Sequence, residues 1–157
     1  MQDDDPGLAA LVGAWRLRSV GVTWSDNGER MDVYGPNPDG YMVLEPSGRI
    51  MFIFGPRERR PPEDDSDRAG LFVNLTAYTG RIRLDGPGRF VTVVDYAWNP
   101  AWVGEQLRFF RLFDNRLEIR SPEQTHPSYG SRKIVADLLW EREQSRTTAH
   151  TATRALR

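Results

Sequence analysis

Gly13-Ala14-Trp15 opens the first strand-like run of this chain, and Trp140-Glu141-Arg142 closes the last one. The apolar segments between these two stretches are all of strand length. A sheet whose first and last strands meet closes into a barrel. We expect the Trp15 indole to plug the base of that barrel, with the Arg142 guanidinium stacked on its face and bonded to backbone carbonyls. The alternative is that Trp15 is an ordinary core aromatic residue.

The composition is that of a single globular domain. The 157 residues are 39% hydrophobic and 27% charged, which suits one domain that buries roughly 70% of its unfolded surface. The net charge of −1 favours neither nucleic acid nor a membrane as a partner. Cysteine is absent, so disulfides and thiolate chemistry are excluded. No apolar run reaches the ~20 residues of a membrane span, and the acidic N-terminus is not a signal peptide, so we expect a cytoplasmic protein.

Alternating hydrophobicity and turn signals predict eight strands in near-continuous hairpin order. Asp26-Asn27-Gly28 and Pro46-Ser47-Gly48 are typical of the turns between them. Antiparallel strands in this order remove their edges by closing, and eight strands leave room for a packed core or one small ligand. We therefore predict an all-β fold, an eight-stranded antiparallel up-and-down β-barrel with one or two short helices. It would occupy residues 8–142, between a disordered N-terminus (1–7) and a polar, flexible tail (143–157).

The segment 55–70 interrupts the strand pattern. It is densely charged and contains the pair Pro61-Pro62, which predicts a solvated loop. Asp65 or Ser66 is a candidate cap for a short helix that would end near Asn74 and lie over one end of the barrel as a lid. The strand before this segment, residues 49–54, is apolar on both faces. This predicts that something covers its outside or that it faces a crowded end of the barrel.

An ordered series of short motifs resembles the bacterial and fungal lipocalin-like domain family over about residues 8–142. The motifs are Gly13-x-Trp15, Gly40-Tyr41, Tyr78-x-Gly80, Asn99-Pro100-x-Trp102-Val103-Gly104, Gln106-Leu107-Arg108-Phe109-Phe110 and Leu139-Trp140-Glu141-Arg142. The resemblance implies a small, usually intracellular eight-stranded β-barrel. More distant lipocalin-like barrels include binders of hydrophobic molecules and cofactor-free cyclases of natural-product biosynthesis, so the resemblance indicates fold more sharply than function.

The sequence contains no recognisable catalytic or metal-binding motif. A nucleophile elbow, a zinc-protease helix motif and a phosphate-binding loop are all missing. Zinc requires cysteine or clustered histidine, and the acidic run 64–67 lacks the spacing of a calcium loop. We therefore expect no metal and no cofactor. His126 lies in a Pro-flanked loop, and we expect it to be solvated or locally hydrogen-bonded rather than catalytic.

A polar cluster inside the barrel is the best candidate site. Arg108 lies two residues before Phe110, so both side chains should face inward. A buried arginine must be paired or hydrogen-bonded. Asp95 is the natural partner if a four-residue turn over 85–88 directs residues 89, 91, 93 and 95 into the barrel. In the alternative, the strand presents residues 92, 94 and 96 to the interior instead. Tyr78 adds a phenol on a neighbouring strand.

Two functions compete for this cluster. In the first, the barrel binds a small, mostly hydrophobic molecule, with Arg108, Asp95 and Tyr78 as its polar contacts; further contacts would come from Phe52, Phe110, Trp98 and Trp102. In the alternative, the protein is a cofactor-independent cyclase or isomerase acting on a polyketide-like intermediate, and the same three polar residues are the catalytic candidates. The cluster could also be a purely structural network that sets strand register, and the two tryptophans could simply seal the barrel end.

A third possibility is an accessory protein that docks a partner on the segment 55–70. We expect the protein to bind a small hydrophobic molecule and neither nucleic acid nor a membrane. We also expect it to be a monomer or a homodimer.

Overall fold

A β-barrel dominates the computed structural model, which describes residues 7–144. The elements in chain order are α1 (Leu8–Leu11), β1 (Gly13–Trp24), β2 (Arg30–Asp32), β3 (Pro38–Leu44), β4 (Arg49–Pro56), α2 (Asp65–Val73), β5 (Thr76–Leu84), β6 (Arg89–Ala97), β7 (Gly104–Phe113), β8 (Arg116–Arg120) and β9 (Ile134–Arg142). Short 3-10 turns cover Pro100–Trp102 and Pro127–Tyr129. The predicted disordered N-terminus and flexible tail lie outside the described residues, apart from residues 7, 143 and 144.

Eight of the strands form a closed antiparallel barrel. Each strand from β3 to β8 pairs with the strand that follows it in the chain, and β3 also pairs with β1. Strand β1 closes the ring by pairing with β9, from Trp15↔Arg142 to Trp24↔Ile134. The short strand β2, which the sequence pattern did not indicate, pairs only with the far end of β1, at Gly21↔Asp32. The predicted eight-stranded up-and-down barrel is therefore confirmed.

The barrel is closed at one end by the predicted Trp–Arg plug. Trp15 is fully buried, and its indole Nε1 donates to the Leu11 carbonyl at 3.0 Å. The Arg142 guanidinium lies 4.2 Å from the indole centroid. The same guanidinium donates to the carbonyls of Val12 at 2.8 Å and Ala10 at 2.7 Å. These contacts tie the end of α1 to the last strand and confirm that the two termini of the barrel meet here.

Gly13 is required by this plug. Its φ of +133° is a conformation that side-chain-bearing residues rarely adopt. A Cβ atom at this position would lie 3.0 Å from Nη1 of Arg142. The glycine two residues before Trp15 thus leaves room for the guanidinium to reach the α1 carbonyls.

The side chains of β6 that point into the barrel are not residues 89, 91, 93 and 95, the first of the two predicted alternatives. Asp85 N donates to Arg89 O, so the turn spans residues 86–88 and Leu84 pairs with Phe90. One residue fewer in the turn moves the other set of side chains inward, and Phe90, Thr92 and Val94 are buried. A bulge follows: Val94 pairs with Gly80 and Tyr96 pairs with Thr79, so Asp95 between them has no partner residue on β5. As a result Tyr96 is also on the outside, with 76% exposure.

The segment 55–74 has the predicted organisation with small differences. Helix α2 begins at Asp65, and its cap is Asp64, whose side chain accepts from Asp67 N at 2.8 Å; the predicted cap was one or two residues later. No residue of α2 is buried. The prediction that something covers the outer face of residues 49–54 is wrong for the described part of the chain. Met51 and Ile53 point outward there, and each is more than half exposed.

No helix within residues 7–144 combines the length and the apolar character needed to cross a membrane.

Candidate functional site

A cavity of about 210 Å³ occupies the barrel end opposite the Trp15 plug. Alternate residues of most strands point into it because side chains two apart share a face. Its apolar wall includes Val20 of β1, Phe54 of β4, Ile119 of β8 and Leu138 of β9. Val73 and Asn74, at the end of α2, lie at its rim. The helix predicted to be a lid therefore borders the cavity with its last turn but is not packed into it.

Aromatic rings form much of the cavity wall. Phe52 and Tyr78, which pair across β4 and β5, are stacked with their centroids 4.6 Å apart. Trp140 lies 5.9 Å from Phe52 and Trp102 lies 6.2 Å from Tyr78, again between ring centroids. Such rings present large, rigid, apolar surfaces at small cost in side-chain entropy. The wall suits a flat or branched apolar molecule.

Arg108 is the polar centre of the cavity. The residue is only 7% exposed, as its position two residues before Phe110 predicts. Nη1 donates to Leu107 O at 2.7 Å and to Gln124 Oε1 at 3.1 Å, and Nη2 donates to Gln106 Oε1 at 3.4 Å. The guanidinium also lies 5.8 Å from the Trp102 ring centroid. Its partners are neutral oxygens and an aromatic face.

Tyr78 lines the cavity with a protonated phenol. Burial raises the pKa of Tyr78, and the nearby positive charge of Arg108 opposes this rise. The same burial lowers the pKa of the Arg108 guanidinium, an effect that Tyr78 opposes. At neutral pH the pair is therefore a neutral phenol beside a guanidinium cation, since arginine does not lose its proton in proteins.

His126 stands at the mouth of the cavity. Its ring lies 5.0 Å from Trp102 and 5.1 Å from Tyr129, between centroids. Nδ1 accepts from Ser128 N at 3.1 Å and so caps the 3-10 turn Pro127–Tyr129. Burial, assisted by the positive charge of Arg108, lowers the pKa of His126 to about 4. The imidazole is neutral at pH 7, and because Nδ1 is an acceptor its proton is on Nε2.

Comparison with protein families gives one match. A family model described as a lipocalin-like domain matches residues 12–143. The chain belongs to the lipocalin-like domain family. Comparison with curated proteins gives no match. The family accounts for the closed barrel, and it assigns no ligand or reaction to the cavity of this lipocalin-like protein.

The lipocalin-like cavity brings together four of the residues expected there. Phe52, Tyr78, Trp102 and Arg108 line it. Phe110 is buried but packs against Phe90 in the closed half of the barrel, at 5.6 Å between centroids. Trp98 packs behind Trp102 and His126, at 6.1 Å from each, and does not line the cavity.

Asp95 does not join the cluster, and its predicted pairing with Arg108 is wrong. The three-residue turn and the bulge in β6 place it on the outer surface, where both its carboxylate oxygens accept from Arg49 Nη1, at 2.9 and 2.8 Å. The side chain of Asp95 is 52% exposed. The acid that should have neutralised Arg108 thus belongs to a surface ion pair.

Sequence reasoning missed His126, Gln124 and Tyr34 as cavity residues. The first two lie in the β8–β9 connection, where periodicity gives no direction, although His126-Pro127 has the pattern of a capped turn. Tyr34 lies in a loop after β2, and its hydroxyl hydrogen-bonds to that of Thr76 at 2.8 Å. Within residues 7–144 no three histidine, aspartate or glutamate side chains are placed to hold a metal ion.

Proposed function

We propose that the barrel binds a small, mostly apolar molecule in the cavity at its open end. One observation supports this above the others: the cavity has a mostly aromatic and aliphatic wall, and within residues 7–144 its one charged side chain at neutral pH is the buried Arg108. Ligand pockets are typically of this kind, apolar with a few placed polar groups. A membership in the lipocalin-like family is consistent with this use of the barrel.

The cavity volume limits the size of the ligand. Dry apolar cavities of about 150 Å³ bind benzene, so about 210 Å³ with an open mouth suits a molecule of one or two rings or a short branched chain. The ligand body would contact Phe52, Tyr78 and Trp102, and its polar end would approach Arg108. The alternative of a cyclase or isomerase stays a prediction, because the family match names no reaction. The docking role of segment 55–70 also stays a prediction.

Calorimetric titration with a neutral, two-ring probe, 2-naphthalenemethanol, tests this function. We expect saturable one-to-one binding to the unaltered protein. Ala136→Phe, which adds a ring at a cavity-lining position of β9, should weaken binding at least about tenfold. Val135→Phe adds the same ring to the adjacent residue, which does not line the cavity, and should leave the affinity nearly unchanged. If Ala136→Phe binds the probe as well as the unaltered protein does, or if neither this alcohol nor its naphthalene carboxylate and carboxamide analogues bind, the proposed function is wrong.

A further inference from the structure

The charge of Arg108 has no counter-charge within the described part of the chain. Thirteen ion pairs join other residues there, and Arg108 is in none of them. The guanidinium has five N–H donors, but only its two Nη atoms have acceptors, which are one backbone carbonyl and two side-chain amides. Nε has no acceptor within residues 7–144.

This arrangement is costly unless something else completes it. Burying an arginine without an anionic partner leaves much of its lost hydration uncompensated. The group cannot avoid the cost by releasing its proton. A buried cation held by neutral oxygens, with donor capacity to spare, is therefore well prepared to receive an anion that arrives with a ligand.

Several neutral polar groups around the cavity are, like Arg108, able to donate hydrogen bonds. Among residues 7–144, no aspartate or glutamate lines the cavity. At pH 7 the phenol of Tyr78 is protonated, and His126 carries its proton on Nε2, so both are able to donate. The indole Nε1 atoms of Trp102 and Trp140, two residues that line the cavity, are buried without a hydrogen-bond partner in residues 7–144. The two buried side-chain atoms that lack a partner within residues 7–144 are thus both donors.

We propose that the ligand is a small organic acid whose carboxylate binds the Arg108 guanidinium, with its apolar body against the aromatic wall. A carboxylate presents two oxygens that match the planar guanidinium, and such charge-assisted contacts are short and directional. Tyr78, which lies close enough to Arg108 for each to shift the other's pKa, is a further donor for that charge. This inference rests on the proposed function, since it names the class of molecule that the cavity takes.

The test compares an acid with its neutral isostere. Binding of 2-naphthoate and 2-naphthamide at pH 7 is measured by calorimetry for the unaltered protein, for Arg108→Met and for Arg111→Met. Arg111 is on the same strand but points outward, where it pairs with Glu118 at 2.9 Å. We expect the unaltered protein and Arg111→Met to bind the acid at least about tenfold more tightly than the amide, since a hydrogen bond to a charged group is worth roughly one such factor or more. In Arg108→Met that preference should vanish, because acid binding should fall at least about tenfold more than amide binding.

The outcomes separate the two proposals. If the amide binds as tightly as the acid to the unaltered protein, the acid class is wrong and the cavity remains a site for neutral apolar molecules. If Arg108→Met keeps the preference for the acid, the inference that the carboxylate binds Arg108 is wrong. If neither probe nor 2-naphthalenemethanol binds, the proposed function fails and the acid class fails with it. Circular dichroism checks that Arg108→Met is folded; if it is not, the acid-to-amide ratio of the unaltered protein alone decides the inference.

Discussion

The Trp15–Arg142 plug offers the most direct test of how the barrel is held closed, through the change Arg142→Leu. This substitution keeps an apolar side chain over the indole but removes the guanidinium. Two hydrogen bonds to the carbonyls of Val12 and Ala10 are lost, at 2.8 and 2.7 Å, together with the cation–π contact at 4.2 Å. The end of α1 would then be held to the barrel by the indole bond to Leu11 and by the packing of Leu11 in the core.

The expected loss follows from these contacts. A hydrogen bond involving a charged group contributes about 1.5–3 kcal/mol, and a cation–π contact about 0.5–2 kcal/mol. The contributions are not additive, and the carbonyls regain some water because Arg142 is only partly buried. We therefore expect the free energy of unfolding to fall by about 3 kcal/mol. For a domain of this size that corresponds to a decrease in Tm of roughly 6–12 °C.

Urea unfolding at pH 7, followed by tryptophan fluorescence and circular dichroism, measures the effect. Arg18→Leu is the matched control, because Arg18 pairs on the surface with Glu141 at 2.9 Å with 46% of its side chain exposed. Exposed pairs of this kind contribute about 0–1 kcal/mol. Arg142→Lys should fall between the two, since an ammonium keeps the charge but loses the planar fork. If Arg142→Leu costs no more than Arg18→Leu, the reasoning that the plug closes the barrel is refuted.

Three further predictions concern other parts of the molecule. Gly13→Ala should destabilise the fold by about 1–3 kcal/mol, because φ at this position is +133° and the added Cβ meets Arg142; an unchanged urea midpoint would contradict this. Hydrogen exchange should show the amides of residues 58–60, which are exposed, exchanging far faster than those of β5, and equal protection would mean that this segment is packed. His126 should make stability fall as pH decreases from about 6.5 towards about 4, because its pKa is lowered to about 4 in the fold and only the unfolded chain takes up the proton in that window. His126→Asn, which keeps a capping acceptor, should reduce this dependence in urea titrations at pH 7 and pH 4.5, and an identical pH dependence would disprove it.

Local patterns predicted much of the fold and the inward position of Arg108. The inward position of Arg108 follows from Phe110 two residues later, because the side chains of a strand alternate regardless of what surrounds them. The inward position of Tyr78 follows in the same way from the alternation in β5, but its stacking on Phe52 depends on the register between β4 and β5. By contrast, the facing of Asp95 depended on whether the preceding turn has three or four residues, and a bulge changed it again. Neither the turn length nor the bulge has a reliable signature in Asp85-Gly86-Pro87-Gly88.

The sequence by itself determined the number of long strands, their order and the meeting of Trp15 with Arg142, because turn residues and alternating hydrophobicity act over short distances and a closed barrel satisfies every edge. Only the tertiary structure decided that Arg108 has no acidic neighbour in the described part of the chain and that His126 and Gln124 reach the cavity. Those facts depend on strand register and on loops that converge from distant parts of the chain, where spacing in the sequence carries no information about which side chains meet.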